Sequence, residues 1–483
     1  MTLRELLPQT DATDEIRGIA CDSRRVAPGF LFFAFAGKKA DGAAFAAQAL
    51  ERGAVAVAGE SPRPEGFPGR WIQVEHGRRA LATAARAFYG RPDERLGISG
   101  ITGTNGKTTS SYILDSILRA AGKTTALIGT IEYRLGGKAV AAVNTTPESL
   151  ELFRMFAELE AAGGTHATME VSSHALALGR VYGIRFHVAV FTNLTRDHLD
   201  FHGTMEDYFD AKRTLFEGAG APPPAFAVLN DDDPYGREIQ VGPGTETIHY
   251  GLHMGAQVRA VNVHSGFDGL RFEIQRGSLR IPVVSPLPGR MNVYNILAAW
   301  CAASSYAIPP ETAVRGIAEC RAVPGRFEKV EAGQPFLVVV DYAHTDDALR
   351  NVISVARALH PKRVLTLFGC GGDRDRTKRP LMGAAAAELS DFVVLTSDNP
   401  RSEDPLAIMN DAMVGLGRHD TPHVAEPDRE KAIRLVLERA EPGDIVVLAG
   451  KGHETYQILK DRTILLDDRE VARRVLHEMG YQA

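Results

Sequence analysis

Cysteine is scarce and scattered in this chain. Cys21, Cys301, Cys320 and Cys370 form no Cys-x-x-Cys pair, so neither a disulfide framework nor a thiolate zinc site is expected, and a reducing compartment fits. A basic excess is also missing: 55 Lys and Arg stand against 60 Asp and Glu, with no long cationic run, which excludes nucleic acid as the expected partner. Long apolar runs are absent too. One of the longer runs, Phe30 to Ala36, is too short to cross a bilayer, and Arg4, Glu5, Asp11, Asp14 and Glu15 occupy the stretch that a signal peptide keeps apolar. The expectation is a cytoplasmic protein without membrane insertion. What the sequence does have is a globular composition, 44% apolar and 24% charged, over 483 residues; at roughly 150 residues per domain this suggests about three domains.

Punctuation along the chain supports that number. A small α/β region with short apolar runs (Phe30 to Phe35, Ala54 to Ala58) ends at the polar joint Arg91-Pro92-Asp93-Glu94. Leu96 to Ile101 then reads as a strand entering a glycine turn. The helix after it carries Ile113, Leu114, Ile117, Leu118 and Ala121 at helical spacing and ends at Gly122. Three alternating segments, Val258 to Val263, Leu270 to Ile274 and Leu279 to Val284, read as antiparallel strands appended to this second domain. A further joint at Ala322-Val323-Pro324-Gly325 precedes alternating strands and helices from Phe336 to Ala449. The fold class read from this is α/β in three domains. A small N-terminal α/β domain (1–93) and a C-terminal Rossmann-like domain (323–483) flank a central doubly wound P-loop domain (94–322).

Gly103-Thr104-Asn105-Gly106-Lys107-Thr108-Thr109, between predicted strand and predicted helix, is a phosphate-binding pattern. The glycines let backbone N–H groups turn toward an anion, the helix start adds partial positive charge, Lys107 neutralises terminal phosphates, and Thr108 offers a hydroxyl to Mg²⁺. Glu170 and His198 follow two further apolar segments at predicted strand ends, where ligands gather in open α/β sheets; a carboxylate and an imidazole there make a partial Mg²⁺ shell. The stretch Tyr208 to Phe216 reads on composition as an amphipathic helix with Lys212 on its charged face.

The loop Gly103 to Thr109 closely resembles that of the Mur ligases, ATP-dependent amide-forming synthetases of peptidoglycan precursor assembly, and of their folylpolyglutamate synthetase relatives. The segments around Glu170 and His198 are similar to the family's next two signatures. Thr108, Glu170, His198 and a carbamylated Lys212 are therefore the implied magnesium set, with Lys107 completing the catalytic group. Asn292 and Asn295 resemble residues that read adenine, although asparagine also caps helix starts. Arg326, at the second joint, and Asp341, at a strand end, match nucleotide-contacting positions, so ATP and Mg²⁺ are the implied cofactors. The family usually has proline where this chain has Asp346. In the N-terminal domain, Asp22-Ser23-Arg24, Phe32-Phe33-Ala34, Gly37 and Asp41-Gly42 match a UDP-sugar signature, with Ser23 the contact expected. Asn144, Thr145, Thr146, Ser172 and Arg180 match positions that receive a UDP-N-acetylmuramoyl-dipeptide. Leu178 stands where several relatives have a contacting glutamine.

The resemblance narrows to enzymes that add the third residue of the stem peptide, meso-2,6-diaminopimelate or L-lysine. In Ser397-Asp398-Asn399-Pro400-Arg401, Arg401 can bind a distal carboxylate by two parallel hydrogen bonds while Asp398 faces an ammonium, which favours diaminopimelate. A lysine substrate leaves a buried Arg401 unpaired in that reading. Arg374, Asn399, Gly450 and Glu454 match the remaining amino-acid contacts. The implied reaction is activation of the dipeptide carboxylate by ATP and amide formation with diaminopimelate, by a monomer. The rivals are a lysine-adding ligase, disfavoured by Arg401; a folylpolyglutamate synthetase, disfavoured by the N-terminal domain; and a non-catalytic nucleotide-binding protein, disfavoured by the complete metal set.

Overall fold

A computed structural model describes residues 1–37 and 41–482. The chain divides into two compact units, one comprising Met1–Arg259, Gln275–Leu279 and Tyr294–Gly316, the other Ala260–Ile274, Arg280–Val293 and Ile317–Ala483. Most of the three alternating strands expected as an appendage of the central domain thus group with the second unit. Among the described residues no helix is long and apolar enough to cross a membrane.

The first unit holds two sheets. The N-terminal one is four parallel strands in chain order, Gly18–Ala20, Phe30–Ala34, Ala54–Gly59 and Trp71–Gln73. Leu31 and Phe33 pack with Leu3 and Leu81, whereas Phe32 and Ala34 pack with Ala49 and Val57. Both faces are covered, which is why this strand is continuously apolar instead of alternating.

In the second sheet of this unit, Gly97–Thr102 lies between Val188–Phe191 and His166–Glu170, all parallel. The segments leaving these three strands at their carboxyl ends contain Gly103 to Thr109, Asn193 to His198 and Glu170 to Ser173, so topology alone brings three distant stretches of sequence to one edge. Beyond His166–Glu170 comes Thr125–Ile128, then an antiparallel hairpin, Glu132–Leu135 with Lys138–Ala141. Its turn, Gly136-Gly137, has φ of 52° and 92°, the left-handed geometry that matches strand twist in two-residue hairpins.

The second unit is built on a sheet in which Ile445–Ala449 inserts between Leu337–Asp341 and Val364–Cys370, followed by Phe392–Ser397 and His423–Glu426, all parallel. Helices Asp346–Arg357, Lys378–Leu389 and Pro405–Leu416 cover the face carrying Val339, Val393 and Leu395; Arg429–Glu438 and Asp468–Glu478 cover the face carrying Val338, Val340 and Val394. Asp346 is the first residue of its helix, capped by the Thr345 hydroxyl accepting from Ala348 N–H at 3.2 Å. Proline suits that position through its fixed φ, and aspartate suits it through the helix dipole, so the departure from the family pattern leaves the local backbone in place.

Candidate functional site

Gly103 and Gly106 adopt φ of 146° and 86°. A Cβ on Gly103 would stand 1.9 Å from Thr192 Oγ1, and one on Gly106 2.4 Å from Asn295 Oδ1, so conformation and space both demand glycine. The loop is braced from the neighbouring strand end: Asn105 N–H donates to Asn193 Oδ1 at 2.9 Å, and Thr192 Oγ1 donates to Asn105 O at 2.7 Å. Lys107, at the start of helix Lys107–Ala120, folds its ammonium onto the carbonyls of Gly103 and Thr104, both at 2.8 Å. Thr108 and Thr109 are buried behind it. Thr108 Oγ1 donates to Glu170 Oε2 at 2.9 Å, and Glu170, fully buried, also accepts from Thr130 N–H (2.8 Å) and Thr130 Oγ1 (3.0 Å).

Lys212 does not lie on a charged face. It is 1% exposed, on the same stripe of helix Met205–Glu217 as buried Tyr208, Leu215 and Phe216. Its Nζ donates to Gly103 O at 3.0 Å and sits 4.6 Å from the centre of the Tyr208 ring. Burial drives its pKa well below that of an ordinary lysine, and the nearby Lys107 charge pushes it further down. His198 occupies a left-handed conformation (φ 55°) before helix Leu199–His202, its Nε2 3.5 Å from Asp197 Oδ2. Burial lowers its pKa, outweighing the Asp197 charge. Among the described residues no three His, Cys, Asp or Glu side chains are grouped so as to hold a metal ion.

The segment expected to receive the dipeptide adjoins Glu170. Thr146 Oγ1 donates to Glu170 O (2.9 Å) and accepts from Ser172 N–H (3.0 Å), while Thr145 and Thr130 hydroxyls are 3.1 Å apart. Arg180 donates to Thr146 O at 3.0 Å and to Glu148 Oε1 at 3.1 Å. Arg78, which stacks on Phe35 at 4.5 Å, reaches the same Glu148 oxygen at 3.4 Å, a link from helix Gly77–Phe88 that sequence reading missed. Asn144 N–H donates to the Tyr133 hydroxyl at 2.9 Å. Ser23 is buried and donates to Gln48 Oε1 at 2.6 Å, within the N-terminal sheet domain and apart from this network. Leu178 ends the short helix Ser173–Ala177. Asn295 is buried and accepts from Ser110 on the phosphate-loop helix at 3.4 Å.

In the second unit Asp341, Asp398, Asn399 and Gly450 lie at the carboxyl edge of the sheet. Asp341 ends its strand and accepts from Phe327 N–H (2.7 Å) and Ala343 N–H (2.8 Å); burial raises its pKa against the pull of the Arg326 charge. The Arg326 guanidinium lies 5.0 Å from the Tyr342 ring centre. Asn292 is buried and donates to Pro288 O at 2.7 Å, the local bond of a helix start. Asp398 and Asn399 are buried; Asn399 Nδ2 donates to Glu454 Oε2 at 2.9 Å. Asp398 already faces an ammonium, that of Lys451 at 3.4 Å. Arg401, expected buried, is half-buried in a left-handed conformation (φ 53°), with Nη1 donating to Gly372 O at 2.7 Å. Arg374 is exposed, yet its Cγ and Arg401 Nη1 flank Gly371, 3.8 and 3.1 Å from where a Cβ would stand. Gly450 (φ 113°) brings its backbone to Asp398, whose Oδ2 would lie 3.3 Å from a Cβ there.

A glycine phosphate loop served by three parallel strand ends, with a second parallel sheet presenting charged residues at its own carboxyl edge, defines a multidomain α/β nucleotide-site protein. The sequence matches the Mur ligase family, catalytic domain over residues 15–89, the Mur ligase middle domain over 101–303, and the Mur ligase, glutamate ligase domain over 325–452. A curated protein of Solibacter usitatus, UDP-N-acetylmuramoyl-L-alanyl-D-glutamate--2,6-diaminopimelate ligase, is 66% identical, covering 99% of this chain and 97% of its own. The like-named protein of Geobacillus thermodenitrificans is 47% identical, covering 96% and 95%. A solved structure of a ligase of that name superposes with a TM-score of 0.73 at 33% identity, covering 100% of both chains. A MurF ligase from Thermotoga maritima in complex with ADP shares the fold alone, with a TM-score of 0.62, 20% identity and 96% of each chain covered. The chain belongs to the Mur ligase family.

Proposed function

We propose that this chain joins meso-2,6-diaminopimelate to UDP-N-acetylmuramoyl-L-alanyl-D-glutamate, using ATP, as a step of peptidoglycan precursor synthesis. The observation that carries the reading is the 66% identity over 99% of the chain to a protein of that name. Phosphoryl transfer needs positioning and charge neutralisation more than covalent chemistry from the protein. In this reading the phosphate loop and Lys107 hold the triphosphate, aided by Asn292, Asn295, Arg326 and Asp341. A side-chain carboxylate oxygen of the D-glutamate attacks the γ-phosphorus and ADP leaves, giving an acyl phosphate. The amine of diaminopimelate, having lost a proton, attacks the acyl carbon, and phosphate leaves as the amide forms. Thr145, Thr146, Ser172 and Arg180 position the dipeptide and Ser23 the UDP-sugar; Arg374, Asp398, Asn399, Arg401, Gly450 and Glu454 select the amino acid.

The oxygens of Thr108 and Glu170, 2.9 Å apart and buried, are the hard donors a magnesium ion takes, and Lys212 and His198 complete the set we assign. Bound there, Mg²⁺ would neutralise charge on the β- and γ-phosphates. A buried lysine held toward its neutral form is a nucleophile for CO₂; its carbamate adds the anionic oxygens that the described His, Cys, Asp and Glu side chains do not assemble. The test is phosphate release across a panel of amino acids. Turnover should require diaminopimelate and the UDP-sugar dipeptide together; equal turnover with L-lysine would refute the substrate assignment.

A further inference from the structure

Lys451 lies between Gly450 and Glu454, two of the amino-acid contacts, and is itself fully buried. Its three ammonium protons meet three oxygens: Glu454 Oε2 at 3.0 Å, Asn399 Oδ1 at 3.2 Å and Asp398 Oδ1 at 3.4 Å. Burying a cation is costly unless it is paired and hydrogen-bonded, and here every partner is a residue assigned to the substrate. The partners are themselves fixed. Asn399 Oδ1 also accepts from Ile458 N–H at 2.9 Å, Asp398 O accepts from Gln457 Nε2 at 2.6 Å, and Arg401 N–H donates to Ile458 O at 3.1 Å. The hairpin Tyr456–Ile458 with Thr463–Leu465 therefore holds residues 398–401 from one side while Lys451 ties Asp398 to Glu454 from the other.

We infer that Lys451 is a positioning residue that sets the charge balance of the amino-acid site, biasing it toward a substrate with a second carboxylate. The inference rests on the ligase reading above. Two carboxylates share one internal ammonium, so Asp398 and Glu454 act on an incoming ammonium with one net negative charge, and Arg401 and Arg374 can accept a distal carboxylate. Without Lys451 the pair keeps the field of Arg429, itself bonded to Asp468 at 2.6 Å, and the negative charge it gains attracts any ammonium and repels that carboxylate.

Full-length wild type, Lys451→Met and Lys451→Gln are compared by steady-state phosphate release with diaminopimelate and with L-lysine. In Lys451→Met the KM for diaminopimelate should rise by about 30-fold or more, while the KM values for ATP and the UDP-sugar dipeptide stay within about twofold. The diaminopimelate-to-lysine ratio of kcat/KM should fall by about tenfold or more. Lys451→Gln, which keeps polar donors without the charge, should move the ratio in the same direction by less, and it decides the matter alone if the methionine variant does not fold. A ratio unchanged in a folded variant, with both amino acids losing alike, overturns the inference. Wild type that turns over no member of the panel overturns the ligase reading instead.

Discussion

Among the described residues two lysines are buried, Lys212 and Lys451, and their surroundings are opposite. Lys212 sits against a carbonyl oxygen and an aromatic ring, with Lys107 as a neighbouring charge, and its pKa is driven down. Lys451 meets two carboxylates and an amide oxygen within 3.4 Å. The contrast teaches that burial alone assigns no role to a lysine. Against a carbonyl and a second cation the charged form is disfavoured; among carboxylates the ammonium has counter-ions.

The contrast breaks first at Lys212. If Lys212 carries the proposed carbamate, Lys212→Ala should lower kcat by about 10³-fold through loss of that anion, whereas Lys451→Met should act mainly through the KM for the amino acid. Steady-state kinetics of both variants separates these outcomes; matching effects on kcat would erase the distinction. CO₂ uptake needs the neutral amine and releases a proton, so at fixed dissolved CO₂ the wild-type activity should fall as pH is lowered. Stripping CO₂ should reduce that activity and bicarbonate should restore it.

On the amino-acid side, Arg401→Ala should cost about 2–5 kcal/mol with diaminopimelate, roughly 30-fold to several thousandfold in kcat/KM, and far less with L-lysine. Equal losses on both amino acids would move Arg401 from recognition to structure. On the phosphate side, Gly106→Ala places a Cβ against Asn295 Oδ1 at a φ of 86°. Strain on the order of 1–3 kcal/mol should appear in the KM for ATP and leave amino-acid selectivity unchanged, as a kinetic comparison of the two substrates would reveal.

The smallest effect is on stability. His166 and His453 each have a pKa lowered to about 4, His166 by burial with Lys123 and His187 nearby, and His453 by burial with Arg326 and Arg469 nearby. Between that value and an unfolded value near 6.5 the unfolded chain binds more protons, so stability is full above about pH 6.5 and declines as pH falls toward 4. Each contributes on the order of 1–3 kcal/mol. Urea unfolding at pH 7 and pH 5 should show a shallower pH dependence in His453→Gln than in wild type; an identical dependence would remove His453 from this account.

Much of this was legible in the chain. A strand, a glycine-lysine-threonine loop and an amphipathic helix are local patterns, and the structure holds them at Gly97–Thr102 and Lys107–Ala120. The surroundings of Lys212 are encoded there as well: Tyr208, Lys212, Leu215 and Phe216 fall at helical spacing, so period places the lysine on the buried stripe although its charge alone suggests a solvated face. The partners of Lys451 were not legible. Its ammonium returns to Asp398 and Asn399, more than fifty positions earlier, because Ile445–Ala449 and Phe392–Ser397 end at the same edge of one sheet, and no local pattern encodes that. Arg78 was hidden for the same reason, reaching Glu148 from a different domain.

In the proposed reaction a carboxylate is activated as an acyl phosphate before the amide forms. Dipeptide labelled with ¹⁸O in the side-chain carboxylate of its D-glutamate tests it directly. The phosphate released in the presence of ATP and diaminopimelate should carry one labelled oxygen per turnover; unlabelled phosphate, with the displaced carboxylate oxygen released into water as the amide forms, would contradict this.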